Sequence, residues 1–230
     1  MRWTFRYAGL AAILSLRYPA RPIASPFNND PETGFTFSQY QVVYSLPNKH
    51  VTIGIAVPST AQQNQQYDPV IQMSAPTDIG WVGFAWGGSM SYNPLTVSWA
   101  NSGQAVVSSR YSTLLKTGTR SNNSQWQVTA KCSGCTSFSG SSGSQRYLNP
   151  KGGNRFAFVY SKQRPSNPSS ASSSFSVHEN VFVYWTHDFS MGQNQNFDDL
   201  VTKNGGTPSA QLGKKRIVAV EADIVGKLQA

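Results

Sequence analysis

Nine short runs of β-branched and aromatic residues, each closed by glycine, proline, asparagine or serine, constrain this fold more than any other feature. They cover 41–45, 51–57, 69–74, 80–86, 95–100, 104–109, 125–130, 155–160 and 181–185. Most alternate apolar with small or polar side chains, the period of a strand with one face in a core and one toward water. Runs this short and this regularly punctuated predict an all-β chain, a two-sheet antiparallel β-sandwich of immunoglobulin-like topology. No stretch of about 18 apolar residues is present to cross a bilayer as a helix, and no internal repeat is visible. A membrane partner is not expected.

At 230 residues the chain suits one full-sized sandwich domain. The formal charge of +9 does not describe that domain. Arg2, Arg6, Arg17 and Arg21 sit in the first 24 residues without an acid, and Lys214, Lys215, Arg216 and Lys227 sit in the tail. Between Ser25 and Gly205 there are eleven basic and eight acidic residues, scattered rather than striped, so nucleic acid is not an expected partner. Residues 1–24 combine a basic start with the apolar run Ala8–Leu16. They read as a secretory signal peptide or a disordered extension. Residues 25–205 form the domain and 206–230 a tail or linker remnant, weakly helical from Lys214 to Ala230. Two stretches, Ser137–Ser144 and Arg164–Ser174, read as flexible loops at the sandwich rim. Asn122-Asn123-Ser124 is a glycosylation sequon, in keeping with secretion.

Enzyme constellations are missing. The three histidines, His50, His178 and His187, accompany no nucleophile elbow, phosphate loop, dinucleotide fingerprint or HExxH helix. The adjacent acids Asp198 and Asp199 would face opposite ways on a strand. The chain is therefore expected not to be an enzyme. Cys132-Ser133-Gly134-Cys135 is the one cysteine pair. Zinc would need two further ligands, covalent haem a histidine where Thr136 stands, and thioredoxin chemistry a βαβ unit. A short local disulfide remains, stabilising a turn modestly.

Met90 follows two glycines at the end of a strand-like run, and His178 opens the last one. Taken singly, a methionine fills gaps in a core and a histidine hydrogen-bonds at a rim. Four methionines and three histidines make twelve pairs, so coexistence alone decides nothing.

The order of several blocks does more. Asp30-Pro31-Glu32-Thr33-Gly34-Phe35, Trp81–Met90, Val97-Ser98-Trp99-Ala100-Asn101, Val107-Ser108-Ser109-Arg110, Lys131–Thr136 and Phe175-Ser176-Val177-His178 follow one another along the chain. In this order they resemble the haem-binding cytochrome domain of fungal cellobiose dehydrogenase, of the DOMON group. The resemblance runs from about Phe27 to Gly205. It implies a non-covalent b-type haem whose iron is held by Met90 and His178, and a Cys132–Cys135 bridge. By type and neighbourhood, Phe84, Trp86, Trp99 and Phe175 are candidate slot walls, and Tyr92, Arg110 and Tyr111 candidate propionate contacts. The resemblance further implies a secreted electron-transfer domain, here taken as a monomer. It would be reduced by a flavin-dependent sugar dehydrogenase and oxidised by a lytic polysaccharide monooxygenase or another acceptor. The rival expectations are a carbohydrate-binding sandwich without haem, using exposed aromatics with the five tryptophans other than Trp3 as candidates, and a truncated homologue without a partner.

Overall fold

The computed structural model describes residues 27–45, 49–109, 111–179 and 182–209. The expected leader, the tail beyond Ser209 and Arg110 lie outside the described residues.

The chain begins with β1 (Phe27–Asn29), β2 (Thr36–Ser45), β3 (Lys49–Pro58) and β4 (Val70–Pro76). Next come β5 (Trp81–Trp86), β6 (Leu95–Asn101), β7 (Gln104–Ser108), β8 (Ser112–Leu114) and β9 (Arg120–Ser121). A long strand, β10 (Gln125–Cys132), leads through β11 (Ser137–Ser139) and β12 (Gln145–Tyr147) to β13 (Gly153–Ser161). β14 (Val183–Asp188), β15 (Gln193–Asn194) and the short helix α1 (Phe197–Lys203) follow.

Two sheets pack face to face, as the alternation predicts. One has the order β1-β2-β3-β4-β10-β8, with β9 added on β10 and β15 lying parallel to β3. The other is β14-β13-β5-β6-β7, antiparallel throughout. Alternate residues of the central strands point between them. Val51, Ile53, Ile55 and Val57 of β3 meet Val82, Phe84 and Trp86 of β5 and Phe156, Phe158 and Tyr160 of β13 in one buried core. Phe84 packs on Phe156 with ring centroids 4.7 Å apart and edge-on to Trp86 at 4.9 Å. Truncating a buried ring such as Phe156 to alanine typically costs about 3–5 kcal/mol.

All nine expected runs contain a strand. Four local expectations are corrected. Ser137–Ser144 contributes a strand, β11, which pairs with β12 around a Gly140–Gly143 turn; a serine-rich text hid the alternation. Arg164–Ser174 is tied down by hydrogen bonds, among them Trp99 Nε1 to the Pro168 carbonyl (2.8 Å) and Ser166 N to the Ser174 carbonyl (3.0 Å). His178 lies ahead of the last strand run, because β14 starts at Val183. Helix α1, about two amphipathic turns, caps a small second core of Phe35, Phe37, Phe197, Leu200 and Val201 and has too few residues to show a helical period.

Candidate haem site and a second cleft

Strand alternation that sends Val82, Phe84 and Trp86 into the core sends Trp81, Gly83 and Ala85 to the outer face of the five-stranded sheet. Gly83 is paired with Val97 of β6 on one side and Val159 of β13 on the other; Ala85 is flanked by Leu95 and Ala157. These short side chains make a flat apolar shelf. A Cβ on Gly83 would sit 2.9 Å from Val159 Cγ2 and 3.1 Å from the Trp81 ring, so glycine keeps the shelf level. A cavity of about 80 Å³ lies on it, walled by Trp81, Val97, Val159, Met90 and Phe175 together with their shelf neighbours.

Two segments border the shelf. The β5–β6 loop opens with Gly87 and Gly88, both at φ +82°. Added side chains would collide with Phe138 and Asn93 at Gly87, and with the Arg155 stem at Gly88. This double-glycine turn delivers Met90 to the cavity wall, where its side chain is 53% exposed. The other border is the strap 163–179. Its Phe175 ring lies 5.0 Å from Trp81 and 6.3 Å from Trp99, and Ser176 Oγ sits 3.1 Å from Ser161 Oγ. At the strap's end Glu179 N donates to the Tyr160 carbonyl.

His178 is half-buried and packs edge-on against Phe182 at 4.9 Å. Its Nδ1 is 2.8 Å from the Glu179 carbonyl, which can only accept, so Nδ1 carries the proton. The Nε2 lone pair is thereby left for a metal, with the ring oriented by a backbone carbonyl in the manner usual for metal-bound histidine. His178 is not itself in the cavity wall; Met90 and Phe175 are.

The remaining sequence candidates divide. Phe84 borders the cavity but its ring packs in the inter-sheet core, and Trp86 is fully buried there too, its Nε1 donating to Thr96 Oγ1 (3.0 Å). Trp99 supports the strap rather than forming the wall. Tyr92 and Tyr111 meet in a different place, a polar cleft of about 1250 Å³ between the β3–β4 loop, the β5–β6 loop and the disulfide turn. Sequence reasoning missed Arg155. It stands on the outward side of β13 two residues from Ala157, its stem against Gly88 and its guanidinium 5.4 Å from the Tyr184 ring. Its signal was available in the alternation: Arg155 has the same strand parity as the shelf residues Ala157 and Val159. Cys132 and Cys135 form the expected disulfide.

The shelf suits a flat macrocycle on three counts. Its lining is apolar. A run of large apolar side chains borders it without cover: Met90, Phe175, Val177, Phe182 and Tyr184 are all exposed, the mark of a ligand or partner face. The buried Trp81 Nε1 has no hydrogen-bond partner among the described residues. The five described tryptophans are at most 7% exposed, which leaves the tryptophan-based carbohydrate reading without its surface.

Comparison with solved structures shows that this sandwich shares its fold with the cytochrome domains of two sugar dehydrogenases. It superposes on the cytochrome domain of cellobiose dehydrogenase from Myriococcum thermophilum with a TM-score of 0.69. That match is 19% identical and covers 81% of this chain and 99% of that one. The cytochrome b domain of pyranose dehydrogenase from Coprinopsis cinerea gives 0.64 and 21% identity, covering 79% and 96%. In sequence, residues 29–199 match the family described as the cytochrome domain of cellobiose dehydrogenase, and the chain belongs to that family. A pyrroloquinoline quinone-dependent pyranose dehydrogenase of Coprinopsis cinerea is 29% identical over 195 residues, 78% of this chain. The chain spans about a quarter of that relative's length (26%).

Proposed function

We propose that this chain is a secreted electron-transfer domain that binds one b-type haem on the β5–β6–β13 shelf. Met90 Sδ and His178 Nε2 would hold its iron. The observation that carries the reading is the level apolar shelf, with a methionine in its wall and a histidine at the end of the strap that covers it. When bound, the haem would supply a one-electron ferric–ferrous couple, and thioether–imidazole ligation would raise its potential.

The chain's own residues do the rest. Phe175, now packed on Trp81, would have to move to admit the group, since the present cavity is smaller than a porphyrin, and would then shield it from water. Gly83, Ala85 and Ala157 would keep the floor low and apolar where the group is held. Val97 and Val159 would exclude water around it, and low polarity would favour the less charged reduced state. Arg155, at the open end of the shelf, offers its guanidinium to a propionate, a bidentate charge-assisted contact.

The electron donor is a sugar dehydrogenase unit. Names of the relatives support this, and one of them is quinone-dependent, so a quinone or a flavin serves equally as the donor's cofactor. The acceptor is a lytic polysaccharide monooxygenase or an equivalent one-electron oxidant. The local disulfide and the exposed Asn122 turn agree with passage through a secretory compartment.

Haem titration of single variants tests the ligand assignment. His178→Ala should lower haem affinity at least a hundredfold, because no covalent link retains the group. Met90→Ala should keep the haem and lose the low-spin spectrum. Unchanged reduced spectra in both variants would refute the assignment.

A further inference from the structure

The polar cleft that holds Tyr92 and Tyr111 plays no part in the haem reading. We propose that it is a binding site for a neutral oligosaccharide, on the opposite side of the Met90 loop from the shelf.

Four observations carry this. The cleft is walled by tyrosine rings and carboxamides: Tyr92, Tyr111, Gln62, Gln65, Gln66 and Asn93. Tyr92 and Tyr111 are 69% and 49% exposed, so flat aromatic surface is available in a concave site. Sugars present the matching chemistry, C–H faces that pack on rings and vicinal hydroxyls that pair with amides, each amide offering donors and an acceptor.

The wall is also built. The Tyr111 ring and the Gln66 amide lie 3.7 and 3.8 Å from the Cβ position of Gly134, against the disulfide turn, and Ser133 N donates to the Tyr111 carbonyl. Beneath them, the buried Asp68 carboxylate accepts from Lys131 Nζ (3.1 Å), Ser133 Oγ (3.0 Å), Gly134 N (3.2 Å) and Ser209 Oγ (2.7 Å). Tyr92 is held at φ +64°, a left-handed conformation that a bulky residue adopts at a cost and that clusters at ligand sites.

Charge narrows the ligand. No lysine or arginine is among the described lining residues, Asp68 is already paired, and Asp198 adds a carboxylate at the wall, so among the described residues a phosphate, a nucleic acid or a uronate would find no counter-charge. Size narrows it further. At about 1250 Å³ the cleft exceeds the roughly 300–1,000 Å³ of ordinary small-molecule sites, which suits several linked sugar rings. A proline-rich peptide would also value tyrosines, but the amide-dense wall favours hydroxyl groups.

The tyrosine cleft gives the exposed-aromatic carbohydrate reading a particular place and wall, and it stands whether or not haem is bound. The test is a titration of the intact, isotope-labelled chain with cellohexaose, xylohexaose and mannohexaose, followed by backbone amide shifts. Shifts should concentrate at 60–68, 92–94, 111–113 and 133–139 for at least one sugar. Tyr111→Ala and Gln66→Ala should each weaken binding tenfold or more, and Lys151→Ala, on a remote turn, should leave it unchanged. No binding of any of the three up to ~10 mM would overturn the proposal. So would binding insensitive to both cleft variants, or these shifts appearing only with a proline-rich peptide.

Discussion

His187 shows how one buried side chain sets a pH dependence. It is fully buried, accepts from Trp185 Nε1 at its Nδ1 (3.2 Å) and donates from Nε2 to the Ser38 carbonyl (3.0 Å). Burial lowers its pKa from 6.5 to about 4, against the opposing pull of the Ser38 carbonyl and Asp188. The folded protein therefore holds His187 neutral where the unfolded chain would be protonated. The stability involved is complete above pH 6.5 and is lost as pH falls from 6.5 toward 4, up to about 3 kcal/mol. Urea midpoints across that window should fall in the parent protein. His187→Gln, whatever its own baseline, should flatten that part of the slope; an identical slope would reject the assignment. The shelf makes a second prediction at this scale. Ala157→Phe fills the place assigned to the ring, so haem affinity should fall at least a hundredfold while haem-free stability shifts by only about 1–3 kcal/mol.

Among the elements, the strap and the disulfide turn are separable. The strap is held over the shelf partly by Trp99 Nε1 and the Pro168 carbonyl. Trp99→Phe keeps the aromatic support and removes that bond, worth about 1 kcal/mol. Haem dissociation, measured by transfer to a stronger acceptor protein, should quicken roughly fivefold with an unchanged spectrum. An altered spectrum would mean that the strap sets ligation rather than retention. The four-residue loop closed by Cys132 and Cys135 is short. Loop-closure entropy gives it about 2 kcal/mol, so the double serine variant should lose that much unfolding free energy and still bind haem. Asp68→Ala should cost more, about 3–5 kcal/mol, because it strands Lys131 in a buried site.

Considered as a whole, the molecule was largely legible as a sandwich, because alternation is a local property that each strand carries in its own text. The nine runs overlap strands for that reason, but Phe84 and Trp86, expected beside the haem, face the inter-sheet core instead. The site was less legible. Nothing local separates Met90 or His178 from ordinary methionines and histidines; only the order of blocks did. Pairing of Gly83 with Val97 and Val159, which levels the shelf, is a long-range register that no window of sequence contains. Helix α1 escaped because seven residues cannot display a 3.6-residue period convincingly, and Arg155 because an exposed arginine on a strand resembles any other. Tyr92 and Tyr111 were grouped by neighbourhood with the haem; the fold carries them to the far side of the Met90 loop instead.

An absorption spectrum of the purified protein, oxidised and then reduced with dithionite, puts the whole account at risk in one step. The arrangement of Met90 and His178 about the shelf predicts one haem per chain with six-coordinate, low-spin bands in both states and a sharp reduced α band. A protein that takes up no haem, or takes it up as a five-coordinate high-spin species, would contradict it.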